Sequence, residues 1–328
     1  MCLSFLLLGG IARAADHLLY FEAQGITGYS TEAGKTIYYS QSPNAEMQKP
    51  SIGFDYLQRF SGESGDWATF ALQSRLALTV DGTHGENSLQ LEPQVYNAYF
   101  KMKTPGPYVW VGHNRPAFGL GSYFDSHGLI LRTLPIQGFG YDRDWGVGLY
   151  KDFSWGDISA SGTTGSGMPV YTKGNYMYDA RISYGVLSHD NFNIGFSLGY
   201  GRTLDTVGYK LLEPKPEEMR LAGVDLTILR DRFEHRFEML TGTWLGQNTY
   251  AGLYRFGINL DQEGRLKIEA QPMWSKFGDE YNFQMSLCFS DQLTSNLTAR
   301  LGYWYDSNVG DNRSDNRVIF QLYYYRPI

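Results

Sequence analysis

The densest set of groups able to do chemistry lies around residues 115–144: Arg115, Asp125, His127 and Arg132, followed by Asp142, Arg143 and Asp144. Basic and acidic side chains facing one another across a narrow passage set up a transverse field that biases which ions pass. The same residues, paired together, would instead fix the segment in place, and spacing alone leaves both options open. Arg115, Asp125, His127, Arg132 and Arg143 are therefore the candidate constriction of a pore. Gly119, Gly121, Gly128, Gly138 and Gly140 in the same stretch suit a bent, closely packed backbone.

Catalytic chemistry finds less footing. His113 and His127 have no Cys or carboxylate cluster at metal-ligand spacing beside them, so neither a metal nor another cofactor is expected. Ser307-Asn308 has no His partner at matching strand parity, and no enzymatic activity is expected. Asp306, Asn308, Asp311 and Asp315 form an acidic run suited to Ca²⁺ or simply to solvent. A net charge of −6 speaks against a general nucleic-acid partner.

The elements that must position these residues show a period of two. In 175–187, Tyr176, Tyr178, Ala180, Ile182 and Tyr184 alternate with Asn175, Asp179, Arg181 and Ser183. In 191–202, Phe192, Ile194, Phe196, Leu198 and Tyr200 alternate with Asn193 and Ser197. Alternate side chains of a strand point to opposite faces, so one face is apolar and the other polar along most of the chain. The pattern predicts strands at 18–29, 52–60, 68–80, 92–102, 107–114, 143–150, 155–163, 175–187, 191–202, 219–230, 232–244, 248–260, 265–276, 280–290, 292–306 and 316–326. Links after even strands are short, and several after odd strands are long, with 115–142 the longest. Short turns at one end and longer loops at the other are expected of an outer-membrane barrel, whose apolar face meets lipid and whose polar face meets the lumen. A stretch from Lys210 to Glu218, with Pro214 and Pro216, reads as an exposed loop.

The fold class expected is therefore all-β: one transmembrane antiparallel up-and-down barrel of about sixteen strands with a long third outer loop. Such a chain has no run of eighteen apolar residues, because polar positions interrupt each strand. Parity places Arg75, Arg181, Arg236, Arg255 and Arg300 on the polar, lumen-lining face, with Lys101, Lys267 and Arg317. Asp55, Asp179, Glu234, Glu238 and Glu269 oppose them. A modest basic excess predicts weak anion preference. Aromatic residues are 16% of the chain, and Tyr96, Phe100, Tyr176, Tyr200, Tyr250, Tyr281, Tyr303 and Tyr305 are expected in girdles at the two membrane interfaces.

The run Gly112-His113-Asn114-Arg115-Pro116-Ala117-Phe118-Gly119-Leu120 resembles a strand-to-loop motif of the phosphate-selective porin O/P group, with Gly, a basic residue, Pro, Phe and Gly in order. Strand count and order resemble the sixteen-stranded Gram-negative outer-membrane porins over most of the chain. That resemblance implies passive diffusion of small hydrophilic solutes or ions, a third loop that folds into the barrel, and a homotrimer. Its surroundings would be outer-membrane lipid and lipopolysaccharide. A different reading of the same barrel is a sheath housing a partner such as a multihaem cytochrome.

The first residues carry an apolar run, Leu3 to Ile11, ending in Ala12-Arg13-Ala14-Ala15, the small-x-small pattern of a signal peptide cut after Ala14. Residues 15–328 would then form the barrel. Tyr324 continues the last alternation, but four residues follow it where outer-membrane proteins usually end on an aromatic.

Overall fold

The computed structural model describes residues 17–37, 49–63, 65–81, 88–125, 127–309 and 313–328. The expected signal peptide, 1–14, lies outside the described residues. The strands are β1 (His17–Ser30), β2 (Lys35–Ile37), β3 (Ser51–Gly62), β4 (Gly65–Asp81), β5 (Ser88–Lys103), β6 (Tyr108–Asn114), β7 (Asp144–Phe153), β8 (Gly156–Thr163) and β9 (Tyr176–Tyr184). They continue as β10 (Phe192–Val207), β11 (Lys210–Arg230), β12 (Phe233–Trp244), β13 (Gln247–Asn259), β14 (Leu266–Phe277), β15 (Glu280–Thr294), β16 (Leu297–Val309) and β17 (Arg313–Pro327). Apart from the short β2, each pairs antiparallel with its neighbours in chain order, β1 with β3 at the start, and β1 closes on β17 from Tyr20↔Pro327 to Ser30↔Arg317. The three-residue β2 pairs along β1 beyond β3, which leaves sixteen spanning strands among the described residues. Closure leaves each of the sixteen spanning strands with a hydrogen-bonding partner on both sides without help from water.

Exposure runs opposite to that of a soluble protein. On β9 and β10 the apolar positions face outward, with Ile182 47%, Ile194 49% and Leu198 52% exposed. The polar positions between them, Asp179, Arg181, Ser183, Asn193 and Ser197, are buried in the interior. An outward apolar belt on a closed barrel costs heavily in water and is at home in lipid. The chain is thus a transmembrane β-barrel of the bacterial outer-membrane type. Aromatic clusters ring both ends. Tyr176 approaches Tyr200 and Tyr250 approaches Tyr281 at the loop end, while Phe60, Trp67 and Phe100 meet at the turn end.

Three local readings change. Tyr96 is not in a girdle: it points inward and is buried. The pairing jumps from Gln73↔Asn97 to Ser74↔Val95, so Tyr96 is the extra residue of a β-bulge that reverses parity along β5. Residues 210–218 are strand, not loop, and lengthen β11 to 21 residues. The turn expected at Asp291 lies four residues later, between Thr294 and Leu297, since β15 keeps its pairing with β16 as far as Thr294↔Leu297.

Candidate functional site

The link between β6 and β7, residues 115–143, folds into the barrel and ties itself to the wall almost all the way round. Ala117 N–H donates to Ser161 Oγ at 2.9 Å, Gly119 N–H to Ser197 Oγ at 3.0 Å, and Leu120 N–H to Glu238 Oε1 at 3.0 Å. Further on, Gly128 O accepts from Arg300 Nη1 at 2.7 Å and Arg132 O from Gln271 Nε2 at 2.8 Å. Tyr96 Oη donates to Asp142 Oδ2 at 2.6 Å as the chain returns to β7. Gly119 has φ 55°, and a Cβ there would overlap the Glu238 carboxylate. That is the physical reason for glycine at this contact.

Apolar packing, absent from the sequence reading, fixes where the loop sits. Leu120, Leu134 and Phe139 pack on inward-facing Met177, Met219, Leu221, Leu240, Leu253 and Met273 of β9 and β11–β14. Ile130 and Leu131 pack on Ile26, Cys288, Trp304 and Ile319 of β1 and β15–β17. These wall residues depart from the polar parity of their neighbours, and that departure was the available signal. The loop is thereby pressed to one side. A cavity of about 820 Å³ remains on the other, bounded by β1, β3–β8 and β17 at the turn end and closed by Arg115, Ser122, Tyr123, Asp125 and His127 of the loop.

The expected constriction residues fall into two groups. Arg115, Asp125, His127 and Arg143 come together. Arg115 Nη2 lies 2.7 Å from Asp125 Oδ1, Arg143 Nη2 lies 3.7 Å from the same oxygen, and His127 N–H donates to it at 2.9 Å. His127 Nε2 reaches Glu22 Oε1 of β1 at 2.7 Å. Arg143 is further held by Asn97 Oδ1 at 2.7 Å and by the Tyr96 ring, 4.3 Å from its guanidinium. Arg132 is elsewhere in the loop and fully buried, and burial lowers its pKa to about 10, which still leaves it cationic at neutral pH. Burial also raises the Asp125 carboxyl, but Arg115 and Arg143 outweigh it, so its pKa ends below the ordinary 3.8.

The five lumen-lining arginines all point inward, and each is engaged. Arg181 holds Asp225 through two nitrogens, at 2.7 and 3.0 Å, and Asp157 at 3.3 Å. Arg255 donates to Gln271 Oε1 at 2.7 Å and Arg300 to Gln321 Oε1 at 2.8 Å. Arg236 pairs with Glu234 at 2.5 Å and lies 3.8 Å from the Phe124 ring, while Arg75 donates to Gln94 Oε1 at 2.7 Å. Much of this basic set braces the loop rather than lining free space. Asp306 and Asp315 both pair with Arg317, and Asp311 lies outside the described residues. Among the described residues no group of three or more His, Cys, Asp or Glu is placed to hold a metal ion.

No protein-family model and no curated protein matches the sequence. Solved structures do. The chain is similar to an anion-selective porin from Comamonas acidovorans, at 10% identity over 95% of this chain and 100% of that one, with a TM-score of 0.67. It is similar to the outer membrane channel DcaP of Acinetobacter baumannii, at 12% identity over 97% and 100%, TM-score 0.60. The trimer form of OmpT, an outer membrane protein of Vibrio cholerae, matches at 12% identity over 96% and 100%, TM-score 0.60. At these identities the likeness carries the fold, and the fold is that of the sixteen-stranded outer-membrane porin barrels.

Proposed function

We propose that this protein is a porin that lets small hydrophilic solutes and ions diffuse passively across the outer membrane and performs no chemical step. The observation that carries the reading is the position of residues 115–143. They are docked by apolar contacts on one side of the lumen and present Arg115, Asp125 and His127 to a cavity on the other. A loop that narrows a water-lined space beside a charged cluster is the arrangement that selects by size and charge.

Ion preference in this reading is weak and toward anions, on the modest basic excess of the inward-facing side chains, with Lys101 on the cavity lining. Arg115 and Asp125 line the same cavity but pair with each other, Asp157 pairs with Arg181, and the Asp55 carboxylate accepts from Tyr325 Oη at 2.9 Å. Phosphate is the first solute to test, on the resemblance of residues 112–120 to the phosphate-selective porins. A homotrimer embedded in outer-membrane lipid and lipopolysaccharide is the assembly proposed, in line with the trimer form of OmpT. The sheath reading, with a multihaem cytochrome inside, is disfavoured because the chain's own loop takes the space such a partner needs.

The test is single-channel recording of the refolded chain in a planar bilayer under a KCl gradient. Stable conductance steps with a small anion-directed reversal potential are expected. A folded, heat-modifiable barrel that never conducts would overturn the proposal.

A further inference from the structure

The hairpin between β10 and β11 does more than turn the chain. β9 pairs with β10 only up to Arg202, and β12 pairs with β11 only from Arg220 onward. Residues 203–219 therefore continue as a two-stranded arm beyond the flanking strand pairings, tied at its foot by Leu204 N–H to Gly165 O at 3.0 Å and by Gly246 N–H to Glu218 O at 2.9 Å. At its base the register jumps from Thr203↔Glu217 to Asp205↔Glu213, so Leu204 faces three residues, Pro214, Lys215 and Pro216. The prolines have no N–H to give to the ladder, and a bulge of this kind bends a strand. Leu204, outside the ladder and fully buried, is pinned by Gly165 O, which accepts from its N–H at 3.0 Å, and by Tyr141 of the inward loop. Tyr141 Oη donates to Leu204 O at 2.6 Å and accepts from Leu204 N–H at 3.0 Å.

At the tip, Val207 and Lys210 flank a two-residue turn, Gly208-Tyr209, with Gly208 at φ 56°. Glycine in the first central position is what a tight turn of this hand requires. It presents the Tyr209 side chain from the tip, and Tyr209 Oη donates to Val95 O at 2.8 Å. Val95 belongs to β5, and four strands, β6–β9, stand between β5 and β10 along the wall. The arm therefore reaches across the loop-side mouth. It lands beside the bulge at Tyr96, on the part of the wall that the inward loop leaves clear of apolar packing.

Resting on the porin reading above, we propose that the β10–β11 arm is a lid over the loop-side entrance. It pivots just beyond the pinned Leu204, from Asp205 and Glu213 outward, and latches by Tyr209 on Val95. A hydrogen bond of this kind contributes modestly, so the latch opens and recloses thermally. Three pairs remain in the arm, Asp205↔Glu213, Thr206↔Leu211 and Val207↔Lys210, with a second bulge at Leu212, and a loop-sized displacement falls between nanoseconds and milliseconds.

The test compares three forms of the full chain in planar bilayers: unmodified, Tyr209→Phe, and one with residues 205–212 replaced by an Asn-Gly turn. Tyr209→Phe removes only the hydroxyl. Closures should become about fivefold rarer in Tyr209→Phe and vanish with the shortened arm, at unchanged full conductance. Equal closure rates in all three would overturn the lid and leave the porin standing. A readout independent of conduction accompanies it, the rate at which a maleimide reagent labels Gln94→Cys from the loop side. Gln94 is buried on β5 beside the latch. Labelling should be several-fold faster in the shortened arm, and an unchanged rate would sink the lid whether or not the barrel conducts.

Discussion

Arg115 and Asp125 form an ion pair at 2.7 Å at the inner end of the cavity, one residue at each side of the turn that starts the inward loop. The pair is local in the chain, yet it decides how much charge the cavity presents, because Arg143 shares the same Asp125 oxygen. A carboxylate between two guanidiniums offsets most of what either cation would offer a passing ion.

Replacing Asp125 by Asn removes that offset. Anion over cation permeability should rise by about fivefold, the effect of one unit charge at roughly 4 Å in a water-like medium. Reversal potential in a KCl gradient measures it. No change would mean that the pair lies off the conducting path.

The pH dependence follows from the same carboxyl. Its pKa is depressed in the folded state, so the stabilisation it gives is present above the ordinary value of 3.8 and is lost as pH falls through the lower, folded value. The part of the selectivity that Asp125 sets should shift toward anions only in acid below its ordinary range. The acid step should be missing in Asp125→Asn.

Loop docking can be weakened without touching the wall. Leu134 is fully buried in the apolar cluster, and its truncation to Ala costs about 2–5 kcal/mol. Larger, noisier conductance steps are expected. The temperature at which the barrel loses its compact gel mobility should hold, since the wall hydrogen bonds are intact.

Arg181 should behave in the opposite way. Cutting it to Ala leaves Asp225 buried without its partner, at a cost of about 3–5 kcal/mol. The gel-shift temperature should drop markedly. Arg181→Met combined with Asp225→Leu should recover most of the loss, and failure to recover would assign Arg181 more than a bracing role.

Much of the barrel is legible in the chain because the strand signal is local. Ile182, Leu198 and Arg181 declare their faces by parity, and the structure keeps them there. Parity fails where one residue is inserted. The bulge at Tyr96 reverses β5, and the bulge at Pro214–Pro216 turns an apparent loop into a bent strand. Neither bulge has a mark in the alternation itself, since it exists only relative to the partner strand.

By itself the sequence determined a closed sheet of about sixteen strands with an apolar outside, a polar inside and one long loop carrying charge. Period-two alternation and turn length need no knowledge of distant residues. Only the tertiary structure decided that the loop packs against β9 and β11–β14, that Arg181, Arg255 and Arg300 act as braces, and that Arg115, Asp125 and His127 meet at the cavity. These contacts join residues far apart in the chain, and their geometry is set by closure of the barrel, which no local pattern encodes.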